Sequence, residues 1–345
     1  MTVSVQLVTW NGARYIPHLF ATLRNQTYKD ITLHVLDNGS HDGTPEFLAH
    51  EFATLGIPHT FDRETENKGF VGGHNALFAR YRGDDFVMLL NQDMMLDPDC
   101  IEKIIAFMAE HMEAAAVAPR LMRWEPGGTE RTNQIDTLGF RVYRNGRVMD
   151  YMSGHPWSDD VFSSLPHASI EYRGDRATRY VEVFGVSGAL PCFRASMLRG
   201  LPGHAMLFDA DFFSYKEDVD LAFRLRRMGW KAYMLPDAVA YHDRSSAAPK
   251  DGSDKRAREH WRHKSELIRN YSYRNHGFLL LKHGRFAFPV LWFELKKFVY
   301  LLLKDRAVMW FAMQNFGLYK KMLQKRALLA RAEIIHPVEL RRWMI

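Results

Sequence analysis

The stretch ITLHVLDNGSHDGTPE, Ile31–Glu46, decides how the first third of the chain is read. Ile31–Leu36 is an apolar, β-branched run of strand length. Asp37, Asn38, Gly39 and Ser40, then Asp42 and Gly43 after His41, follow as a cluster of turn-favouring residues. Thr44 and Pro45 mark a helix start. Thr44 reads as the N-cap and Pro45 as the first helical residue, where a missing N–H costs nothing. Strand, polar loop and helix are thus packed into one short segment.

The unit recurs on both sides. Val3–Trp10 reads as an earlier strand, and Ile16, Leu19, Phe20 and Leu23 repeat at helical spacing. Gly56 stops the helix opened at Thr44. His59–Phe61 reads as a short third strand and Asn75–Arg82 as a helix. Phe86–Leu90 is continuously apolar, as in a strand buried on both faces. Asp97-Pro98 opens the next helix. The order predicts an α/β fold with a mostly parallel sheet and helices on both faces.

Ligands of such sheets bind beyond the carboxyl ends of the strands. The loops Asp37–Thr44, Asn67–Asn75 and Asn91–Asp93 therefore form the candidate site. Each loop alone is compatible with turn chemistry; three at successive strand ends point to a ligand. The glycines at 69, 72 and 73 do not match the dinucleotide fingerprint, and no phosphate-loop Gly-Lys-Ser/Thr occurs. Both observations argue against a dehydrogenase or a P-loop ATPase.

Composition sets the wider frame. The 345 residues are 47% apolar and 25% charged, which excludes a disordered or collagen-like chain. The net charge of +6 is uneven: residues 276–345 hold 13 Lys/Arg against 4 Asp/Glu, leaving 33 against 36 in residues 1–275. A mildly acidic body thus carries a basic tail. Cys100 and Cys192 are too few for a disulfide framework or a cysteine zinc site, and a reducing compartment follows. No signal peptide is visible, and no apolar run approaches the ~18–20 residues needed to span a bilayer. The sequons at Asn25, Asn38 and Asn270 are read as chance matches.

Taken in order, several motifs resemble the family 2 glycosyltransferases, and more narrowly their rhamnosyltransferase-like branch. They are Val8-Thr9-Trp10-Asn11-Gly12, Asp37–Thr44, Asn67-Lys68-Gly69-Phe70-x-Gly72-Gly73-x-Asn75 and Leu89-Leu90-Asn91-Gln92-Asp93. Gly188-Ala189, Glu217-Asp218-Val219-Asp220-Leu221-x-x-Arg224-Leu225 and Tyr241-His242 continue the likeness, which spans about residues 3–275. The resemblance implies a GT-A-type, Rossmann-like sheet flanked by helices, with a helical C-terminal extension. Three segments are expected: a nucleotide-sugar-binding half over 1–120, an acceptor and catalytic-base half over 121–275, and a basic amphipathic tail over 276–345.

The resemblance also assigns roles. Asp37 is similar to the position that contacts the nucleoside base, with Thr9, Asn11, Asn67, Gly72 and Asn91 beside the nucleotide. Asp93 matches the last position of the Asp-x-Asp metal motif, and His242 resembles a histidine near metal and diphosphate. A divalent cation, Mg²⁺ or Mn²⁺, is the implied cofactor, since it can bridge carboxylate and phosphate oxygens. Asn91 stands where the first Asp is usual, so the site has one negative charge fewer. Asp218 is similar to the catalytic base that takes the acceptor hydroxyl proton, while Glu217, Asp220 and Gly188 hold the helix or the acceptor. Acids at a helix start also complement the helix dipole, but one would suffice for that. One base and one displacement imply inversion at the anomeric carbon.

The expected activity is transfer of a sugar, with rhamnose from dTDP-rhamnose leading, to a glycan or lipid-linked glycan. The rival readings are a sugar nucleotidyltransferase and a catalytically silent membrane-associated binding subunit. Arg244, Ser245 and Ser246 form a polar loop able to close over nucleotide. Pro126–Arg179, without clear periodicity, reads as an irregular acceptor-side insertion. In the tail, short apolar and aromatic stretches with Trp292 and Trp310 alternate with Lys296, Lys297, Lys304, Arg306, Lys320 and Lys321. An interfacial helix on anionic lipid and a helical cap on the catalytic domain both fit this pattern. The expected location is cytoplasmic, peripheral at the inner membrane face. Nucleic acid is not an expected partner, because no recognition motif accompanies the charge.

Overall fold

The computed structural model describes residues 1–345 apart from 82–83, 126–129, 203–205, 244–260, 262–263, 285–287, 333 and 336. Its first half alternates strands β1 (Val3–Thr9), β2 (Ile31–Asn38), β3 (His59–Glu64) and β4 (Phe86–Asn91) with helices α1 (Ile16–Arg24), α2 (Thr44–Phe52) and α3 (Gly69–Arg80). The four strands pair in parallel in the order β3-β2-β1-β4. Successive residues of β4 point to opposite faces. Phe86, Met88 and Leu90 pack with Ile16, Leu19 and Leu48, whereas Val87 and Leu89 pack with Val71 and Phe78 of α3. Burial on both faces explains why this strand carries no polar alternation.

Next come β5 (Met94–Leu96), α4 (Cys100–Glu110), β6 (Ala114–Glu125), β7 (Glu130–Thr137), β8 (Phe140–Val142), β9 (Val148–Asp150), α5 (Asp159–Ser164), β10 (Ala168–Arg173) and β11 (Arg176–Val183). They are followed by β12 (Cys192–Arg194), α6 (Ala195–Arg199), α7 (Glu217–Arg227) and β13 (Lys231–His242). The sheet has eleven strands in the order β10-β11-β13-β6-β12-β4-β1-β2-β3, with β5 on β13 and β7 on β6. Short antiparallel β12 joins the parallel half to the parallel pair β6–β13. The expected mostly parallel sheet is present, with antiparallel strands added on its far side.

Four local expectations need correction. Thr44 is the first residue of α2 rather than its cap, which is Gly43 at φ +82°. The Thr44 hydroxyl instead accepts from Gly12 N at 2.8 Å. Helix α3 begins at Gly69 rather than Asn75. Asn67 Oδ1 accepts from Gly69 N at 2.7 Å and Asn38 Oδ1 from Lys68 N at 3.0 Å, so side chains supply the start that glycine propensity obscures. Gly73 is required there, because an added Cβ would lie 2.7 Å from Val8 Cγ1. The C-terminal end of the expected helix, Arg82, lies outside the described residues. Helix α4 starts at Cys100, since Asp97 and Pro98 form a preceding turn. Finally, most of the stretch read as irregular is ordered as β7 to β11, because short edge strands and a hairpin leave no long periodic run.

The tail consists of α8 (Glu266–His283), α9 (Phe288–Lys304), α10 (Arg306–Gln314), α11 (Phe316–Ala332) and α12 (Pro337–Arg341). The sequence boundary placed at residue 275 falls inside α8. Helices α10 and α11 pack on α8, and buried charges fix them to the body. Lys282 Nζ lies 2.6 Å from Asp209 and 2.7 Å from Asp220. Lys325 pairs with both Asp209 and Asp211, and Lys321 with Asp211 at 2.9 Å. Part of the basic surplus is therefore neutralised internally. Helices α9 and α10 nonetheless expose Phe288, Leu291, Trp292, Leu295, Leu303 and Trp310. Among the described residues no helix is long and apolar enough to cross a membrane.

Candidate active site

The strand-end loops clasp one another. Asn11, at φ +48°, donates its backbone N–H to Ser40 Oγ at 2.9 Å and accepts from His41 N through Oδ1 at 2.9 Å. Gln92 closes the other side: its Oε1 accepts from Trp10 N at 2.9 Å and its Nε2 donates to Trp10 O at 3.1 Å. Gln92, part of the Asn91–Asp93 motif but assigned no role there, thus joins the loops after β1 and β4. Asp37, fully buried at the end of β2, accepts from Thr9 Oγ1 and Ser40 N, both at 3.2 Å. Arg63 Nε lies 3.4 Å from its Oδ2. Asn67 spends its oxygen on Asn38 and Gly69, and Gly72 lies in the first turn of α3. Asn91 closes β4, its backbone N donating to Ala189 O at 3.0 Å.

Asp93 and His242 meet across the sheet, brought together by the β5–β13 pairing. His242 Nε2 lies 3.4 Å from Asp93 Oδ2, and its Nδ1 lies 2.9 Å from Asp136 Oδ2. Burial alone would push the His242 ring down, but Asp93 and then Asp136 outweigh it and hold its pKa up at about 10. The two carboxylates thus favour the charged ring, and a cation bound at Nε2 would have to displace its proton. The Asp93 carbonyl accepts from Trp124 Nε1 and Asp243 N, each at 3.0 Å. Asp243 in turn pairs with Tyr15 and Arg14. Asp136 and Trp124 lie on β7 and β6, where the sequence offered no motif.

These residues fit a divalent cation as part of its coordination shell. Asp93 offers a carboxylate, and His242 offers an imidazole whose second nitrogen is oriented by Asp136, a common support for metal-binding histidines. Among the described residues no group of three or more His, Cys, Asp or Glu is arranged to hold a metal. A cation held by Asp93 and His242 would leave coordination positions for water and phosphate oxygens, a usual arrangement for Mg²⁺.

Asp218 sits at the start of α7. Its Oδ2 accepts from Gly188 N at 3.1 Å and its Oδ1 from Val219 N at 2.8 Å. Burial, opposed by the Gly188 N–H and reinforced by Asp150, pushes its pKa up. Glu217 is pushed well above the ordinary carboxyl range by burial and then by Asp218. Its Oε2 is buried with no hydrogen-bond partner among the described residues. Asp220 is fully buried and bonds Arg224 at 2.9 Å, Lys282 at 2.7 Å and His283 at 2.7 Å. Of the two roles expected for Asp220, only support of the helix is compatible with this burial. Gly188 lies between the halves, 3.4 Å from Phe70 of α3 and 3.5 Å from Asp218 Cβ, measured from an added Cβ.

The segment leading into α7 is strained. Phe213, Tyr215 and Lys216 have φ of 63°, 70° and 68° without being glycine, which costs about 1–3 kcal/mol each and needs support elsewhere. Asn275 supplies it: Nδ2 lies 2.9, 2.8 and 2.7 Å from the carbonyls of Phe212, Ser214 and Tyr215. Arg274 adds Asp211 O at 2.9 Å and Phe212 O at 3.0 Å. Neither residue stands in a recognisable motif. Arg244, Ser245 and Ser246 lie outside the described residues.

The mixed, mostly parallel sheet with these loops at its strand ends is the GT-A architecture of glycosyltransferases. The family model described as glycosyl transferase family group 2 matches residues 86–319, and that of glycosyl transferase family 2 matches residues 4–164. The chain belongs to glycosyltransferase family 2. It is 25% identical over 268 residues to the N-acetylglucosaminyl-diphospho-decaprenol L-rhamnosyltransferase of Mycobacterium tuberculosis, covering 74% of this chain and 80% of that protein. The O-antigen chain rhamnosyltransferase of Salmonella typhimurium is 21% identical over 248 residues, with 70% and 66% covered.

Among solved structures, a mannosyltransferase from Pyrobaculum calidifontis in complex with GDP-Man and Mn²⁺ superposes with a TM-score of 0.51 at 18% identity, covering 96% of this chain and 85% of that one. GalNAc-T7 with UDP, GalNAc and Mn²⁺ gives a TM-score of 0.56 at 13% identity, covering 90% and 57%. These likenesses concern the fold.

Proposed function

We propose that the protein transfers a sugar, with rhamnose from dTDP-rhamnose the leading candidate, to a hydroxyl of a glycan or lipid-linked glycan, with inversion at the anomeric carbon. The observation that carries this reading is the pair of contacts through Gly188-Ala189. Gly188 N holds Asp218, while Ala189 O holds Asn91 two residues before Asp93. The proposed base is thereby tied to the diphosphate end of the site.

Asp218 takes the acceptor proton. Its raised pKa moves a carboxylate toward the operating pH, where a general base is most effective. The N–H groups of Gly188 and Val219 hold both oxygens in place. Burial and the Asp218 carboxylate bias Glu217 beside it toward its neutral form. Thr9, Asn11, Asp37, Asn67, Gly72 and Asn91 surround the nucleotide. Contact of Asp37 with the base requires Arg63, which is half exposed, to swing from its Oδ2. Asp93 and His242 would hold a divalent cation, Mg²⁺ or Mn²⁺, which would supply charge neutralisation for the leaving diphosphate. The two rhamnosyltransferase relatives support the donor, and the decaprenol-linked substrate in the name of one supports the lipid-linked acceptor.

The exposed apolar side chains of α9 and α10, with Lys296, Lys304 and Arg306 among them, support peripheral contact with an anionic membrane surface. Thermal-shift measurements with nucleoside diphosphates, with and without Mn²⁺, test the donor side, since ligand binding raises apparent stability. The proposal expects the largest shift from dTDP with Mn²⁺. No shift with any nucleotide would contradict it.

A further inference from the structure

We infer that a cavity beside α7, lined by Phe223 and Arg227 of that helix, takes the phosphate end and first isoprene units of a prenyl-phosphate lipid. It rests on the reading of a lipid-linked acceptor. The cavity has a volume of about 530 Å³, within the range of ~300–1,000 Å³ typical of small-molecule sites. Val142, Val148, Leu279, Leu280, Val290 and Leu340 are among its walls. Nucleotide or sugar hydroxyls would lose hydrogen bonds against these aliphatic groups; a hydrocarbon chain would not.

The charged part of the lining has one sign. Arg144, Arg227 and Arg341 border the cavity. Among the described residues, Arg144 and Arg341 make no ion pair, and both are exposed. Arginine forks suit phosphate oxygens. An apolar slot bordered by arginines selects an amphiphile with an anionic head, and neither half of that ligand explains the site alone.

Two spatial relationships join the cavity to the transfer site and to the exposed tail surface. Val148 lines the cavity, and Asp150, two residues along β9, is close enough to act on Asp218. Phe223 of α7 and His283 of α8 also line it. Their rings stack at 4.8 Å, and His283 Nε2 bonds Asp220 at 2.7 Å. On the other side, Pro289 and Val290 of α9 belong to the wall, while Phe288, Leu291 and Trp292 of the same turn are exposed. The cavity therefore lies between the catalytic helix and the face proposed to meet the membrane.

The test uses the full chain with farnesyl phosphate as probe, measured by calorimetry, and dTDP binding as the control. Val290→Trp puts indole bulk on the apolar wall, narrows the cavity and should weaken farnesyl phosphate at least tenfold. Arg341→Ala, a surface change that spares the fold, should weaken it severalfold and reduce its salt dependence. Both variants should bind dTDP as the parent does. Inorganic phosphate at equal concentration should not displace the lipid. Absent binding, equal displacement by phosphate, or affinity unchanged in both variants would overturn the site.

Transfer assays separate this inference from the reading beneath it. Turnover on a lipid-linked acceptor without farnesyl phosphate binding leaves the acceptor reading standing and removes the cavity. Variant-sensitive lipid binding without transfer to lipid-linked acceptors does the reverse.

Discussion

His242 Nδ1 lies 2.9 Å from Asp136 Oδ2, and this bond turns Nε2 toward Asp93. If that nitrogen helps to hold a cation, Asp136 is its positioning partner. Asp136→Asn should weaken Mn²⁺ affinity about 10- to 100-fold, as removal of such partners does elsewhere. Titrating Mn²⁺ into the dTDP-bound protein and following the thermal shift reads this directly. The metal-free melting temperature should move far less than the Mn²⁺-dependent part.

Asn275 holds three carbonyls of the strained segment before Asp218. Asn275→Ala leaves buried acceptors unsatisfied, at a cost of about 1–3 kcal/mol. Because the segment presents the proposed base, kcat should fall at least tenfold while dTDP affinity stays within about twofold. Equal losses in kcat and nucleotide affinity would instead indicate general loosening.

Buried histidines set the acid limit of stability. Burial, the main influence, pushes His74 down to about 3, and His276 and His283 to about 4. His276 faces Glu294 and Lys297; His283 faces Asp220, Lys282 and Arg227. An unfolded histidine takes up its proton near pH 6.5, whereas these stay neutral until far lower pH. The unfolded chain therefore binds more protons between those values, and stability falls as pH drops from 6.5 toward 4. Above pH 6.5 they add no slope. Each contributes at most about 1.4 kcal/mol per pH unit. Asp220, held well below its ordinary range despite burial by Lys282 and Arg224, loses its contribution only at still lower pH. Melting curves from pH 8 to 4.5 should show the decline, and His283→Gln, which keeps a donor toward Asp220, should flatten it.

The exposed face of α9 gives a prediction at the membrane. Trp292→Glu together with Leu295→Glu should abolish sedimentation with anionic liposomes and leave transfer to a short-chain acceptor unchanged. Raising the salt should weaken binding of the parent protein, since lysines near an anionic surface contribute about 1 kcal/mol each.

Much of residues 1–120 was readable because its physics is local. Continuous apolar strands such as Phe86–Leu90 declare burial on two faces, and the Asp-Asn-Gly-Ser run declares a strand-end loop. Helix α3 was hidden at its start because Gly69, Gly72 and Gly73 lower helix propensity. Their use becomes visible only when Val8 is seen against Gly73. Asp136 and Trp124 were missed because they act through His242 and the Asp93 carbonyl, partners distant in the chain. The family motifs end near Asn275, yet its amide supports carbonyls 60 residues and more upstream. The tail showed its charge but not its pairing. Lys282, Lys321 and Lys325 are matched to Asp209, Asp211 and Asp220, positions that no local pattern links.

The central claim is that Asp218 removes the acceptor proton. Asp218→Asn keeps an oxygen for the Gly188 N–H while removing the base. In single-turnover assays with donor sugar nucleotide, acceptor and Mn²⁺, transfer should fall at least 10³-fold, while dTDP binding with Mn²⁺ remains within about twofold of the parent. Transfer by Asp218→Asn at the parental rate would contradict the assignment.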